Sequence, residues 1–166
     1  MNVKNLRHAA GALLTLTAAM LLVPSAMAAD IDDVRAVVNQ YLATEGDLER
    51  QARLMTDDRS FIAGGFRQTD NVTNMQNQIA AQKRNQELDP DSRLTVTGED
   101  IRIRMLGNRG AVASFYRFWT VLVSADSVRE GRNPQGPPND AVTLVLEKIG
   151  NDWKIVHTHQ SPVGDN

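Results

Sequence analysis

The first stretch of regular patterning places apolar residues at helical spacing between positions 31 and 42. Asp32 and Asp33 lie in the first turn of this segment, where the helix dipole favours acidic side chains. The pattern predicts a helix that ends near Glu45 and Gly46. Its apolar positions are Ile31, Val34, Val37, Val38, Tyr41 and Leu42.

Two further helices are predicted before the pattern changes. Asp47 is placed to cap a short helix that closes at residues 56–58 and whose apolar side is Leu48, Ala52 and Met55. Residues 60–63 are a strand candidate, and Gly64 and Gly65 turn the chain. A third helix is predicted over residues 72–86, with capping residues at 69–71 and an amide-rich surface that we interpret as solvated.

After Pro90 the apolar positions alternate, as they do in β-strands. Segments 94–97 and 101–106 are either two strands or one long strand with a bulge at residues 98–100. A hairpin turn at 107–110 leads into a strand over 111–123. The glycine- and proline-containing segment 124–140 predicts a mobile connection to a strand over 141–149.

The last strand follows a turn at residues 150–152 and has two unlike faces. Strict alternation places Trp153, Ile155, His157 and His159 on one face, which grades from apolar to ionisable. Such a face could floor a pocket with a polar end. Helices followed by a run of antiparallel strands predict an α+β fold, with three N-terminal helices on one face of a curved antiparallel sheet.

The first 28 residues have the pattern of a secretory signal peptide. Lys4 and Arg7 precede an apolar run over residues 9–23, and the segment Ala26-Met27-Ala28 has the small residues that signal peptidase requires. Cleavage after Ala28 would leave 138 of the 166 residues, which suits a single domain over residues 29–166.

Cysteine is absent from the sequence. The chain therefore has no disulfide, no thiol nucleophile, no thiolate metal site and no cysteine for lipid attachment. Together with the leader, this composition predicts a periplasmic or secreted protein with no membrane attachment after the leader is removed.

Charge argues against a nucleic-acid partner. Without Lys4 and Arg7, the 18 basic side chains become 16 against 20 acidic ones, a net charge of −4. Binding to phosphate backbones requires a basic surface. We expect no nucleic-acid binding.

Two segments resemble a known superfamily. Residues 37–58, with Gly46-Asp47-Leu48 at their centre, and residues 150–161, with Trp153 and His157, are similar to the opening and the closing strand of nuclear-transport-factor-2-like (SnoaL-like) domains. The closing strand is especially similar to the association domain of calcium/calmodulin-dependent kinase II. The resemblance implies a cone-shaped, cystatin-like α+β fold with a pocket between helices and sheet, and a homodimer through the outer sheet face.

Ketosteroid isomerase, another member of this superfamily, offers a catalytic comparison. That chemistry needs an aspartate base and an oxyanion hole made of a tyrosine and a protonated aspartic acid. By resemblance Tyr41 matches the tyrosine, but the base position holds Ala63 and no carboxylate occurs in segment 141–146. Isomerase activity of this type is not expected, and Tyr41 is either a core aromatic or a ligand contact.

Arg117 shares a strand face with Phe115 and Trp119. A buried arginine needs a partner, because an unpaired charge is costly to remove from water. The kinase association domain carries an arginine at the matching position, which implies that Arg117 binds a ligand carboxylate next to Trp119. A salt bridge to a neighbouring strand or to a dimer partner is the alternative.

His157 and His159 are separated by one residue and could act as zinc ligands or as acid and base near neutral pH. A catalytic zinc site needs a third protein ligand. The segment after residue 28 contains no further histidine, so we predict pocket-lining histidines and no metal or cofactor.

The sequence therefore predicts an exported domain that binds a small, anionic, amphipathic molecule. The expected pocket residues are Tyr41, Arg117, Trp119, His157 and His159. Two alternatives stay open. One is a pocket enzyme of isomerase, dehydratase or hydrolase type with His157 or His159 as acid/base, and the other is a dimeric assembly module without a ligand.

Overall fold

The computed structural model describes residues 23–132 and 138–164. Most of the predicted leader lies outside these residues. The elements in chain order are α1 (Val23–Ala43), α2 (Leu48–Ala52), β1 (Met55–Ala63), β2 (Phe66–Gln68), α3 (Asn71–Leu88), β3 (Arg93–Leu106), β4 (Gly110–Leu122), α4 (Ala125–Arg129), β5 (Asp140–Ile149) and β6 (Asp152–Pro162).

The six strands form one curved, unclosed sheet in the order β2-β1-β6-β5-β4-β3. Neighbouring strands are antiparallel except β1 and β6, which pair in parallel and join the two ends of the domain. The predicted α+β fold, with helices on one face of a curved sheet, is confirmed. The parallel pair was not expected from the sequence, because strands so distant in the chain show no local pattern of pairing.

Helix α1 packs against the concave face of the sheet. Val34, Val38, Tyr41 and Leu42 are buried on one side of the helix, at the spacing that the sequence predicted. A Cβ atom on Gly98 would lie 2.5 Å from the Cδ1 atom of Leu42, so the bare backbone of β3 at this point makes room for the Leu42 side chain. The core also contains Met55, Met75, Ala111, Ala113, Phe115, Val142, Leu144, Leu146, Trp153 and Ile155.

The predicted helix caps are present. Asp47 accepts a hydrogen bond from the Arg50 backbone N–H at 3.0 Å, and Asp70 accepts one from the Thr73 backbone N–H at 3.1 Å. Each carboxylate satisfies a backbone donor that the first helical turn leaves without a partner. These contacts fix where α2 and α3 begin.

Three segments differ from their predicted form. Residues 55–58 belong to β1 rather than to the second helix, because Met55 pairs with Ile155 of β6. Residues 94–106 form one strand with an irregular register between Glu99 and Arg102, which is the bulge alternative. The connection after β4 contains the short helix α4, and residues 133–137 of the predicted mobile segment lie outside the described residues.

Within residues 23–132 and 138–164, no helix has the length and apolar character needed to cross a bilayer.

Candidate functional site

A two-part pocket opens between the helices and the concave face of the sheet. Its inner cavity has a volume of about 190 Å³ and its outer groove a volume of about 810 Å³. Glu45, Gln78 and Trp119 border both parts, so the cavity and the groove adjoin there. The inner cavity is bordered by Tyr41, Glu45, Gln51, Arg59, Phe61, Met75, Gln78, Arg117, Trp119 and Gln160.

Arg117 stands on β4 at the inner end of the pocket and is fully paired within the chain. Its Nε and Nη2 atoms donate to the two carboxylate oxygens of Asp140, at 2.9 and 2.6 Å, from the directly opposite position on β5. Nη1 donates to Glu45 and, at 3.2 Å, to Tyr41 Oη. Burial alone would lower the pKa of Arg117, but Tyr41, Asp140 and Glu45 together raise it. Of the partners considered for Arg117 from the sequence, the structure contains the salt bridge to a neighbouring strand.

Tyr41 projects from α1 into the inner cavity and is 2% exposed. Its hydroxyl oxygen accepts hydrogen bonds from Arg117 Nη1 and from Gln160 Nε2, both at 3.2 Å. Burial, followed by the negative charge of Glu45, raises the pKa of Tyr41 to about 12. The neutral hydroxyl keeps its proton, and no described side chain accepts it.

Glu45 is held at the junction of the cavity and the groove by the turn after α1. Gln82 of α3 fixes this turn, because its amide donates to the Glu45 carbonyl at 3.0 Å and accepts from the Leu48 N–H at 3.2 Å. Burial raises the pKa of the Glu45 carboxyl, and the Arg117 guanidinium opposes this effect. The pocket thus contains a carboxyl group that ionises less readily than one in water.

Arg59 of β1 is the second buried arginine of the cavity, and its hydrogen-bond partners are all uncharged. Nε donates to Asn71 Oδ1 at 2.8 Å, Nη1 donates to Thr158 Oγ1 at 3.1 Å, and Nη2 lies 3.8 Å from the sulfur of Met75. The guanidinium also lies over the ring of Phe61, 5.0 Å from its centroid. Burial lowers the pKa of Arg59, against the effects of Tyr41 and Glu45.

Trp119 borders both the inner cavity and the outer groove. The Arg117 guanidinium stacks over its ring at 4.5 Å, which fixes the indole. The indole Nε1–H is buried and has no acceptor among the described residues. Trp119 therefore combines an apolar ring with an indole N–H that has no acceptor in the described part of the chain. Its position next to Arg117 on the same strand face agrees with the prediction from sequence.

The two histidines of β6 lie on the opposite, convex face of the sheet. Leu146 pairs with Ile155 whereas Val145 pairs with His157, so β6 has one extra residue at Val156. This bulge exchanges the faces of all following residues. The prediction that His157 and His159 share the face of Trp153 and Ile155 is wrong, and both are separated from the pocket.

Thr158 and Gln160 take the inward positions instead. Thr158 is fully buried and accepts from Arg59, and Gln160 donates to Tyr41. Strict alternation from Trp153 and Ile155 would place both residues on the opposite face. The sequence contains one signal for this arrangement, because Thr158 and Gln160 are polar. A face with these two side chains fits the polar end of a pocket as well as a face with two histidines does.

On the convex face each histidine contacts a serine. His157 Nδ1 lies 3.2 Å from Ser60 Oγ, and His159 Nε2 lies 3.3 Å from Ser161 Oγ. Partial burial, then the neighbouring charges of His159, Arg67 and Arg59, lower the pKa of His157. Among the described residues, no three side chains of His, Asp or Glu converge in a way that could hold a metal ion.

The amide-rich surface of α3 is not simply solvated, contrary to the interpretation from sequence. Asn71 is buried, and its amide donates to the Thr56 carbonyl at 3.0 Å while its oxygen accepts from Arg59. Asn74 is also buried and accepts from Gln78, which borders both parts of the pocket. The amides therefore orient the polar end of the pocket.

Comparison with known families gives one match. The profile of the SnoaL-like domain matches residues 34–165, which is most of the chain and all of the pocket. Among curated proteins, none matches the chain significantly.

Solved structures with the same fold have little sequence in common with this chain. An uncharacterised protein with a cystatin-like fold from Caulobacter vibrioides is 19% identical, with a TM-score of 0.59 over 81% of this chain and 89% of that one. A proposed dehydratase of the nuclear-transport-factor-2-like family from Streptomyces avermitilis is 15% identical, with a TM-score of 0.61 over 82% and 98%.

The kinase-type resemblance also has a structural counterpart. A proposed calcium/calmodulin-dependent protein kinase II association domain from Xanthomonas campestris is 15% identical, with a TM-score of 0.59 over 80% of this chain and 87% of that one. At such identities the likeness establishes the fold alone, since unrelated functions share this architecture.

Proposed function

This chain belongs to the SnoaL-like domain family, and from that membership we propose that it binds a small amphipathic molecule in the two-part pocket. The polar end of the molecule enters the inner cavity, and its apolar body fills the outer groove. The observation that carries the proposal is the junction at Trp119, where a groove with apolar walls meets a cavity bordered by polar and charged side chains.

The size and the chemistry of the pocket support binding of a small molecule. The outer groove, at about 810 Å³, lies in the range of roughly 300–1,000 Å³ that is typical of small-molecule sites. Leu48, Ala81, Leu94 and Val121 supply apolar surface there. Polar and charged side chains also border the groove, among them Gln78, Gln82, Asn85, Gln86, Asp89, Arg93 and Arg132. Apolar walls give affinity, and convergent polar groups orient the ligand.

A plug in the groove tests the proposal. The substitution Ala81→Trp places an indole in the outer groove, whereas Ala80→Trp places it on the exposed side of the same helix. Two fluorescent amphiphiles serve as probes: uncharged N-phenyl-1-naphthylamine and anionic 1-anilinonaphthalene-8-sulfonate. We expect at least one probe to bind the unsubstituted protein and Ala80→Trp, and to lose about tenfold or more in affinity for Ala81→Trp.

Two results would contradict binding in this pocket. One is the absence of a saturable response to both probes. The other is equal affinity in the two tryptophan variants, since a site elsewhere on the surface would ignore the plug. Circular dichroism of both variants shows whether helix α3 is retained.

The two histidines proposed as acid and base for the enzyme alternative do not border the pocket. His157 and His159 lie across the sheet from the pocket, and the pocket carboxyl of Glu45 is engaged by Arg117. No observation in the described residues favours a particular reaction. We therefore propose binding rather than catalysis.

Export and self-association remain proposals of ours. The leader predicts a periplasmic or secreted location. A homodimer through the convex sheet face is supported by the side chains there, since Tyr116 is 46% exposed and Val112 and Val145, a pair on the same face, are half-buried. Assembly through this face and ligand binding on the other face are compatible, because the sheet separates them.

A further inference from the structure

Arg59 is a buried cation without a carboxylate partner. It is 2% exposed, and none of the ion pairs between described residues involves it. Arg117, which borders the same cavity, has two carboxylates. Buried charges are normally paired, because hydrogen bonds to neutral groups replace only part of the lost hydration.

The guanidinium of Arg59 also has donors to spare. Each of the three guanidinium nitrogens has one contact: Nε with Asn71, Nη1 with Thr158 and Nη2 with the weakly accepting sulfur of Met75. A guanidinium has more N–H groups than these contacts use. Arg59 borders the inner cavity, so its guanidinium is the buried cation nearest to hand for a ligand group that enters there and lacks a counterion.

Two other donors around the same cavity lack acceptors. The indole Nε1–H of Trp119 is buried without a partner in the described part of the chain. Tyr41 Oη accepts from Arg117 and Gln160, and its own proton has no acceptor among the described residues. A cavity bordered by an unpaired cation, and by residues that carry two further donors, is complementary to a group with several acceptor lone pairs and a negative charge. A carboxylate has these properties.

The charges around the inner cavity favour a single negative charge at the end of the ligand that enters it. Arg59 and Arg117 bring two positive charges to this end of the pocket, and Glu45 and Asp140 bring two carboxyl groups, both bound to Arg117. A monoanion would give Arg59 a direct partner. A phosphate dianion or a dicarboxylate would place its second charge close to Glu45 without another free cation among the residues that border the cavity.

The residues that border the outer groove indicate the polarity of the rest of the ligand. Besides Trp119, the outer groove is bordered by Leu94 and Leu88, which are 38% and 64% exposed. Exposed leucines that border a groove favour an apolar chain or ring over a polar one. The carboxylate would thus be the inner end of a mainly apolar acid.

We propose that Arg59 binds the carboxylate of an apolar monocarboxylic acid whose body occupies the outer groove. This rests on the proposed function and adds the class of ligand and the residue that selects it. The role that the sequence gave to Arg117 moves to Arg59, and Arg117 becomes the residue that positions Tyr41 and Trp119 at the cavity wall.

Calorimetric titration with decanoate and with decan-1-ol tests the proposal, because the two probes differ only at the polar end. We expect the unsubstituted protein to bind decanoate about tenfold or more tightly than decan-1-ol, as charge-assisted hydrogen bonds allow. Arg59→Met should remove this preference and retain the affinity for decan-1-ol. Arg102→Met, on an exposed arginine of β3, should change neither affinity.

A second variant covers the case in which Arg59→Met fails to fold. Trp119→Phe retains an aromatic ring beside Arg117, and it removes the indole N–H together with one ring of the side chain. We expect it to weaken decanoate more than decan-1-ol. Equal affinity of the unsubstituted protein for both probes, or an unchanged preference in either Arg59→Met or Trp119→Phe, would overturn the carboxylate site.

The outcomes separate this inference from the proposed function. If N-phenyl-1-naphthylamine binds in the groove and is excluded by Ala81→Trp, but decanoate shows no preference, the pocket stands and the carboxylate site is refuted. If neither the naphthyl probes nor the decyl probes bind, both proposals fail.

Discussion

Arg59 and Thr158 are joined by a hydrogen bond of 3.1 Å between Nη1 and Oγ1, although 99 positions separate them in the chain. The bond crosses the parallel pair of β1 and β6, in which Thr158 lies opposite Phe61. It exists because the bulge at Val156 turns Thr158 inward. One contact therefore links the closing strand of the sheet to the cation of the inner cavity.

Replacing Thr158 by valine should destabilise the protein by about 1–3 kcal/mol, because one buried N–H of Arg59 would lose its acceptor while the volume of the side chain stays nearly constant. Urea denaturation followed by tryptophan fluorescence measures the change. Thr143→Val is the matched control on the convex face of β5, where Thr143 is opposite His159, and it should stay within about 0.5 kcal/mol. Equal losses in the two variants would show that the inward position of Thr158 does not matter.

Removal of the Arg117 side chain should cost far more. Arg117→Met leaves Glu45 and Asp140 buried without their cation, and breaking a buried pair costs roughly 3–5 kcal/mol. Arg102→Met breaks an ion pair whose partners are 76% and 52% exposed, and exposed pairs are worth about 0–1 kcal/mol. Chemical denaturation of both variants compares the two losses. A small loss for Arg117→Met would mean that water or a rearranged Arg59 replaces the lost cation.

Glu45 should make stability depend on pH. Burial raises the folded-state pKa above the ordinary value of 4.5, so between these two pKa values the folded state binds more protons than the unfolded state. The contribution of Glu45 to stability is then fully present below pH 4.5 and is lost as pH rises through the folded-state pKa.

The measurement is the unfolding free energy of the unsubstituted protein and of Glu45→Gln at several pH values. Titrating groups that do not interact with Glu45 contribute equally to both proteins, so the difference reports on Glu45 and the groups coupled to it. We expect the unsubstituted protein to lose stability relative to Glu45→Gln as pH rises above 4.5. A difference that is constant, or that changes in the opposite direction, would contradict the raised pKa.

Substitution of both histidines by alanine should leave ligand binding intact. His157 and His159 are on the convex face, so affinity for the naphthyl probe in the groove should change by less than about twofold. Gln160→Leu, at the neighbouring inward position, removes a hydrogen bond to Tyr41 Oη at the inner cavity. We expect this variant to bind the probe more weakly than the unsubstituted protein does. Loss of binding in the double histidine variant alone would restore the original assignment of the histidines to the pocket.

The convex face should control self-association if the proposed homodimer forms there. Val145→Asp introduces a charge at the centre of this face, opposite His157, and should convert a dimer into a monomer in sedimentation experiments. Lys83→Asp, on the exposed side of α3, is a control that should keep the dimer. A protein that is monomeric without substitution, or a dimer that tolerates Val145→Asp, would refute this interface.

The sequence by itself determined the fold class and the local details. The helical spacing of Val34, Val38 and Tyr41, the caps at Asp47 and Asp70, and the turns at Gly107 and Gly150 are encoded within a few neighbouring residues. The same local alternation placed Arg117 and Trp119 on the pocket side of β4, which the structure confirms.

Only the tertiary structure decided which polar residues meet in the pocket. The extra residue at Val156 is visible only through the pairing of β6 with β5, and it exchanges Thr158 and Gln160 for His157 and His159. The importance of Arg59 depends on the parallel pairing of β1 with β6. Periodicity reports which residues share a face within one strand, but register between distant strands is set by packing of the whole sheet. The anion-binding candidate therefore moved from Arg117, whose charge its neighbours neutralise, to Arg59, whose charge they do not.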